Sequence, residues 1–251
     1  MQDLKLGKTP ARKAVKFKLR DFVDFSQLPK PPNNFGHENL IERKSWGMLG
    51  NDVAGDCVFA GAAHETMMWN LCGGKIAKFD DASTLKNYSA VTGYNPKDPN
   101  TDQGTDMKTA AEYRRTTGII DAKGVIHKVE AYLDIDAGNL QEHYVAMYLF
   151  GAVGIGIRFP ATAMDQFKAG KVWKVVRGGS PIEGGHYVPM VAKRTFLQCV
   201  TWGQTQPLSN SFFSTYNDES ITYVSKEMLT NNKSPEGFDS DGLIKALSQL
   251  K

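Results

Sequence analysis

Residues 49–74 read LGNDVAGDCVFAGAAHETMMWNLCGG, and this stretch sets how the rest of the chain is read. Cys57, Gly61, His64, Met68 and Leu71 recur at spacings of three or four, Asp56 stands where an N-cap belongs, and Gly73-Gly74 stops the run. The spacing predicts a helix of about four turns. Its faces are mostly small or apolar (Val58, Phe59, Ala60, Ala62, Ala63, Met67, Trp69), as in a helix embedded between other layers. Cys57 falls in the first turn, where unpaired backbone N–H groups and the positive end of the helix dipole favour thiolate over thiol. That is a position for a nucleophile, although most lone cysteines are small buried hydrophobes and the partner decides the matter.

Outward from this helix, the periodicity predicts further helices over 83–91, 105–116 and 139–149. The period then changes to two: AVGIGIRF, KVWKVV, HYVPMVAKR, FLQCVTW and SITYVS are short β-branched or aromatic runs separated by Gly, Pro or Asn. A short helix is expected over 209–216, where Phe212, Phe213 and Tyr216 would pack on the sheet, and Asp239 or Ser240 would cap a last helix through Leu250. The expected class is α+β, a helical half with the Cys-bearing helix at its centre against an antiparallel β half. The expected organisation is an arm over 1–45, a domain over 46–225 and an extension over 226–251.

Composition narrows the function classes. The chain has 251 residues, 41% hydrophobic and 23% charged, which excludes general disorder. The longest uncharged apolar run, 145–157, is thirteen residues, short of the roughly 20 that cross a bilayer. No secretory signal pattern stands at the N-terminus, so a cytoplasmic or particle-associated location is expected. Three cysteines, Cys57, Cys72 and Cys199, with no CxxC pair, support neither a disulfide framework nor a zinc site. The net charge is +3, but residues 1–30 hold eight Lys/Arg against three Asp, so the arm is basic and the body is not. Such an arm could touch nucleic acid or an acidic protein surface, but it suits a solvated arm, or one docked on the chain's own body, better.

Of the five histidines, His186 alone follows a Gly-Gly and opens an apolar strand, which suits a base at the rim of a cleft. His64 lies seven residues beyond Cys57, about 10 Å along the helix axis, out of contact. His37, His127 and His143 have no comparable setting. The run Asp98, Asn100, Asp102, Asp106 has the alternating oxygens of a calcium loop, but its Gly is displaced, Pro99 intervenes and Thr109 replaces the closing Glu. The turn and capping preferences of Asn and Asp account for it without a metal.

A Cys opening the central helix, then a Gly-Gly-His strand, then a strand ending Thr201-Trp202-Gly203 resembles the papain-like cysteine peptidases over about residues 46–225. In that family a Gln six residues before the nucleophile feeds the oxyanion hole, and Asn51 stands six before Cys57. The wording of WGMLGNDVAGDCVFAGAAHE, DPNTDQGTDM and VTWGQTQPLSNSFF is similar to papain-like proteins encoded by bacteriophages and prophages. The resemblance implies a cysteine peptidase or amidase without cofactor or metal: His186 as base, Cys57 as nucleophile, Asn51 and the Cys57 N–H as oxyanion donors, a peptide or protein as substrate. Two departures stand out. Val200 takes the place of the Asn that orients the family's His, leaving Thr201 and Gln204 as the nearest polar candidates. Asp56, beside the nucleophile, opposes a thiolate. Val200 also favours the alternative, an inactive papain-like scaffold in phage virion assembly whose basic arm binds other structural proteins. A third expectation is that the arm covers the cleft as a propeptide does.

Overall fold

The structure is a computed structural model describing residues 4–12, 14–24 and 30–237. The expected C-terminal helix after Asp239 or Ser240 lies outside the described residues. In chain order the elements are β1 (Lys8–Thr9), β2 (Phe35–Gly36), α1 (Cys57–Cys72), α2 (Asp81–Thr92), β3 (Thr105–Asp106), α3 (Met107–Thr116), β4 (Ile119–Ile120), β5 (Ile126–His127), β6 (Ala131–Asp134), α4 (Leu140–Phe150), β7 (Val153–Pro160), α5 (Ala161–Lys168), β8 (Ile182–Lys193), β9 (Leu197–Thr201), β10 (Gln204–Leu208), α6 (Asn210–Tyr216) and β11 (Asn217–Val224). Three short 3-10 turns intervene in the first half.

The main sheet is antiparallel with strand order β10-β9-β8-β7-β11-β6, and β2 pairs with the far end of β8. It separates two apolar cores. On one side, α1, Met107, Ala110 and Ala111 of α3 and Tyr88 of α2 meet Tyr187, Val191, Val200 and Tyr223 of the sheet. On the other, α4, α6 and Ala163 of α5 meet Val188, Met190 and Cys199. Strand alternation makes this possible, since Tyr187 and Val188 point to opposite faces of β8. Four of the six helices among the described residues start where polar side chains satisfy their first N–H groups: Asp80, Asp106, Asn139 and Ser209 each accept a first-turn backbone N–H.

Four particulars differ from the sequence expectation. The run KVWKVV forms no strand: only Trp173 makes a bridge, to Leu208, because its indole is buried and bonded to Ala163 O at 2.9 Å while the flanking residues stay outside. Thr105 and Asp106 are not helical but form β3. The sheet takes β6 from the stretch expected to be helical, and α4 lies across the sheet from α1. Strand β10, QTQPL, has no apolar alternation and contains Pro207, which an edge strand tolerates.

Candidate active site

Helix α1 packs directly on β8, and the close approach rests on two missing β-carbons. A Cβ at Gly61 would lie 2.4 Å from the Tyr187 ring and one at Gly154 2.0 Å from its hydroxyl. The Tyr187 ring fills that slot. Its hydroxyl donates to Glu65 Oε1 at 2.7 Å, and Glu65 Oε2 pairs with Arg114 Nη1 at 2.6 Å, locking β8 to α1 and α3. In consequence the Tyr187 backbone N–H reaches Cys57 Sγ at 3.4 Å, so the thiol at the start of α1 touches the residue next to His186.

His186 is 1% exposed and lies beneath Trp202, ring centroids 4.4 Å apart and planes 16° from parallel, with Phe159 edge-on at 5.5 Å. Its Nε2 is 2.7 Å from Thr201 Oγ1, and its Nδ1 is buried without a hydrogen-bond partner. When Nε2–H donates to the threonine hydroxyl, Nδ1 holds the lone pair of a base. Thr201, and not Gln204, therefore contacts the imidazole; Gln204 opens β10 across the turn from Thr201. Val200 points into the apolar core beside α1.

Burial dominates the electrostatics. It pushes the Cys57 thiol up to about 12, against the opposing pull of the Tyr187, Gly7 and Lys8 backbone N–H groups. It brings His186 down to about 3. Thiol and imidazole are thus both neutral in this state. Asp56 makes no side-chain cap to α1, contrary to the sequence expectation; its carboxyl is fully buried without a hydrogen-bond partner. Burial, opposed by the nearby Asn51 side chain and joined by Asp102 and Asp81, raises its pKa well above the ordinary range. Its charge is among the causes that raise the Cys57 thiol, the direction the sequence leads one to expect. Asn51 is buried, and its Nδ2 donates to Ala54 O at 3.1 Å.

The N-terminal arm closes this site from above. Lys5 N–H donates to Asn51 O at 3.1 Å and Trp202 Nε1 donates to Lys5 O at 3.2 Å. Gly7 N–H donates to Gly185 O at 3.2 Å and Thr105 N–H to Gly7 O at 2.9 Å, after which β1 pairs with β3 in parallel. The fit depends on glycine: a Cβ at Gly7 would lie 1.8 Å from Gly55 O, and one at Gly185 2.1 Å from Lys8 O. The Gly-Gly before His186 thus makes room for a second backbone. Lys8 sits with its ammonium 2.9 Å from Asp218 and 3.1 Å from Glu219. Further along the arm, Lys18 and Arg20 both pair with Asp136.

Sequence reading missed the partners of the arm, because a lysine in a basic run looks like any other. The one signal was the crowd of glycines, Gly7, Gly55, Gly104 and Gly185, in segments distant in sequence. The residues of the calcium-like loop serve the backbone instead: Asp98 receives Asn100 N–H, Asp102 receives Gly55 N–H and the Tyr88 hydroxyl, and Asp106 caps α3. Among the described residues no cluster of three His, Cys, Asp or Glu is arranged to hold a metal, and no helix is long and apolar enough to cross a membrane.

No protein-family model matches this chain, and no curated protein matches it. Solved structures do. The chain is similar to xylellain, a cysteine protease from Xylella fastidiosa, with 11% identity over 89% of this chain and 97% of that one, TM-score 0.65. It is similar to proCathepsin B S9 from Trypanosoma congolense, with 12% identity over 88% and 87% of the two chains, TM-score 0.65. It is also similar to the ragweed cysteine protease Amb a 11 in its proform, with 15% identity over 86% and 72%, TM-score 0.61. The fold is the papain-like α+β fold.

Proposed function

We propose that the chain is a cysteine hydrolase of peptide or other amide bonds, seen with its own N-terminal arm across the cleft. The observation that supports this best is the 2.7 Å contact between Thr201 Oγ1 and His186 Nε2, which supplies the orienting group that Val200 cannot. His186 Nδ1 takes the Cys57 proton, Sγ attacks the carbonyl carbon, and the oxyanion meets the Cys57 N–H, a first-turn donor with no intrahelical acceptor. Asn51 Nδ2 is the second donor once it exchanges Ala54 O for the oxyanion. The imidazolium then protonates the leaving nitrogen as the C–N bond breaks, and water hydrolyses the thioester. The catalytic groups act only after the arm leaves, because water restores both the thiolate and the imidazolium that burial suppresses. Two of the similar structures are themselves described as pro-forms, which fits such a latent state.

A bacteriophage or prophage origin is proposed on the three stretches of similar wording alone. Val200 favours a second reading, an inactive scaffold that serves in virion assembly through the arm.

The test is the pH dependence of iodoacetamide labelling at Cys57, read by peptide mass spectrometry. The full chain is compared with Gly7→Val, whose side chain cannot fit against Gly55. Slow labelling in the wild type, fast labelling down to about pH 5 in Gly7→Val, and its loss on adding His186→Ala are expected of a thiolate-imidazolium pair. An ordinary midpoint near pH 8.5 in Gly7→Val, unchanged by His186→Ala, would leave the scaffold reading.

A further inference from the structure

One face of helix α1 carries Cys57, Gly61 and Glu65 at steps of four, and a single residue of β8 meets all three. The Tyr187 hydroxyl donates to Glu65 at 2.7 Å, its ring lies against Gly61, and its main-chain N–H donates to Cys57 Sγ at 3.4 Å. Tyr187 thus grips two turns of α1, about 12 Å of axis, between its hydroxyl and its own backbone. The far end of this grip is fixed: Glu65 is 0% exposed, and its second oxygen pairs with Arg114, itself buried and lying over the Tyr223 ring. The near end lies on an open edge of the strand. The ladder between β8 and β9 begins only at Met190 and Cys199. On that edge Gly185 O accepts the arm's Gly7 N–H, and two residues on, the Tyr187 N–H goes to the sulfur. His186 Nδ1, between them in sequence, makes no hydrogen bond. In the covered state the sulfur is therefore met by main-chain groups and not by the imidazole. Besides Tyr187 these are Gly7 and Lys8, and both belong to the arm.

Resting on the cysteine-hydrolase reading, we infer that the Tyr187 N–H is a catalytic donor to the Cys57 thiolate, and that Glu65, held by Arg114, is the positioning residue that aims it. Gly7 and Lys8 leave with the arm, whereas Tyr187 stays, so its N–H is the donor left to the sulfur when the cleft opens. Such a bond is modest toward a neutral thiol and roughly twice as strong toward an ionised acceptor. It favours the state in which Cys57 has given its proton to His186 Nδ1, and the N–H itself gives up nothing. Because the donor is in place before the proton moves, no reorganisation is needed at that step. The grip serves the base as well. Successive residues of a strand point to opposite faces, so the backbone that Tyr187 pins to α1 carries His186 on its other side.

The test deletes the donor and keeps the side chain. In the full chain carrying Gly7→Val, Tyr187 is replaced by its α-hydroxy acid through nonsense suppression, which turns the amide N–H into an ester oxygen. The readout is the midpoint of the pH dependence of iodoacetamide labelling at Cys57. The ester is expected to raise that midpoint by about one pH unit, a tenfold loss of thiolate. The melting temperature should change little, because this N–H lies outside the strand ladders. Tyr187→Phe, which cuts the grip at Glu65, is expected to raise the midpoint by about half a unit in the amide backbone and to add nothing in the ester. A hydroxyl that served the fold alone would lower the melting temperature in both backbones and leave the midpoint in place. An unmoved midpoint in the ester overturns the donor, and equal shifts from Tyr187→Phe in amide and ester overturn its aiming by Glu65. Adding His186→Ala separates this inference from the reading it rests on. A low midpoint lost in His186→Ala but indifferent to the ester would keep the hydrolase and remove the donor. An ordinary midpoint, indifferent to His186→Ala yet raised by the ester, would do the reverse.

Discussion

Two cations lie buried among carboxylates, and they are held in different ways. Arg114 on α3 pairs with Glu65 on α1, whose side chain is fully buried; Tyr187 donates to the same carboxylate, and the guanidinium lies 4.0 Å from the Tyr223 ring centroid and 5.4 Å from that of Trp69. Lys8 pairs with Asp218 and Glu219, whose side chains keep 30% and 16% exposure, and the stretch around it, residues 5–9, meets the body through backbone bonds, while further along the arm Leu19 and Phe35 enter the core. If Arg114 is removed, Glu65 has no water to turn to. If Lys8 leaves, its carboxylates are hydrated at once. The difference separates a clamp from a latch: both bury a charge, but only the second has a solvated state to return to.

The largest effect is therefore expected at the clamp. Arg114→Met should cost about 3–5 kcal/mol, because it strands the Glu65 carboxylate in the core. Lys8→Met should cost only about 1 kcal/mol, because its partners reach the surface. Urea titration of the two variants measures both. Equal losses would break the comparison and make the arm a structural part of the domain. Glu65→Gln in the Arg114→Met background should recover part of the loss, since it removes the stranded charge while keeping the bond from Tyr187.

A smaller effect concerns the base. In Gly7→Val, adding Thr201→Val removes the group that orients His186 and should slow labelling of Cys57 at pH 6 by about tenfold, with Thr201→Ser restoring it. The stack with Trp202 survives both changes, so a purely structural role would show as lost stability without a change in the pH profile. Failure of the serine to restore the rate would remove Thr201 from the positioning of the imidazole.

This site was half legible in the sequence. Helix α1 could be read because spacing and the terminal glycines agree within sixteen residues, and His186 because Gly-Gly opens an apolar strand. Thr201 was one of two polar candidates; the choice needed the actual turn between β9 and β10. The latch was not legible at all. Lys8 looks like its basic neighbours until Gly156, 148 positions away, shows the hole that receives it, a Cβ there falling 2.5 Å from Lys8 Cε, and Asp218-Glu219 looks like a solvated pair until the bulge in β11 turns both one way. In the fold, β10 and the failed strand at KVWKVV show the same limit. Period-two patterning reports which faces are apolar, but Pro207 and two glutamines make a strand wherever an edge needs pairing, and Trp173 is buried as a single anchor.

His127 supplies a third buried cation site, and its charge depends on pH. Its Nδ1 lies 2.6 Å from Glu227 and its Nε2 3.5 Å from Asp121, tying β5 to the segment that follows β11. Burial alone would lower its pKa, but the hydrogen bonds and charges of Glu227 and Asp121 outweigh it and the folded-state value is raised. A raised value means that the protonated ring is favoured by folding. The stabilisation is fully present below the unfolded pKa of about 6.5 and is lost as pH climbs through the higher folded value. Replacing His127 with Gln should therefore lower the melting temperature at pH 6 and matter progressively less toward pH 9, by an amount on the order of 1 kcal/mol or below. The Arg114 variant should show no such narrowing over the same range, because burial is outweighed by the neighbouring Glu65, which raises the guanidinium further above its already high value. A His127→Gln difference that stays constant from pH 6 to pH 9 would mean that the ring acts there by shape and not by charge.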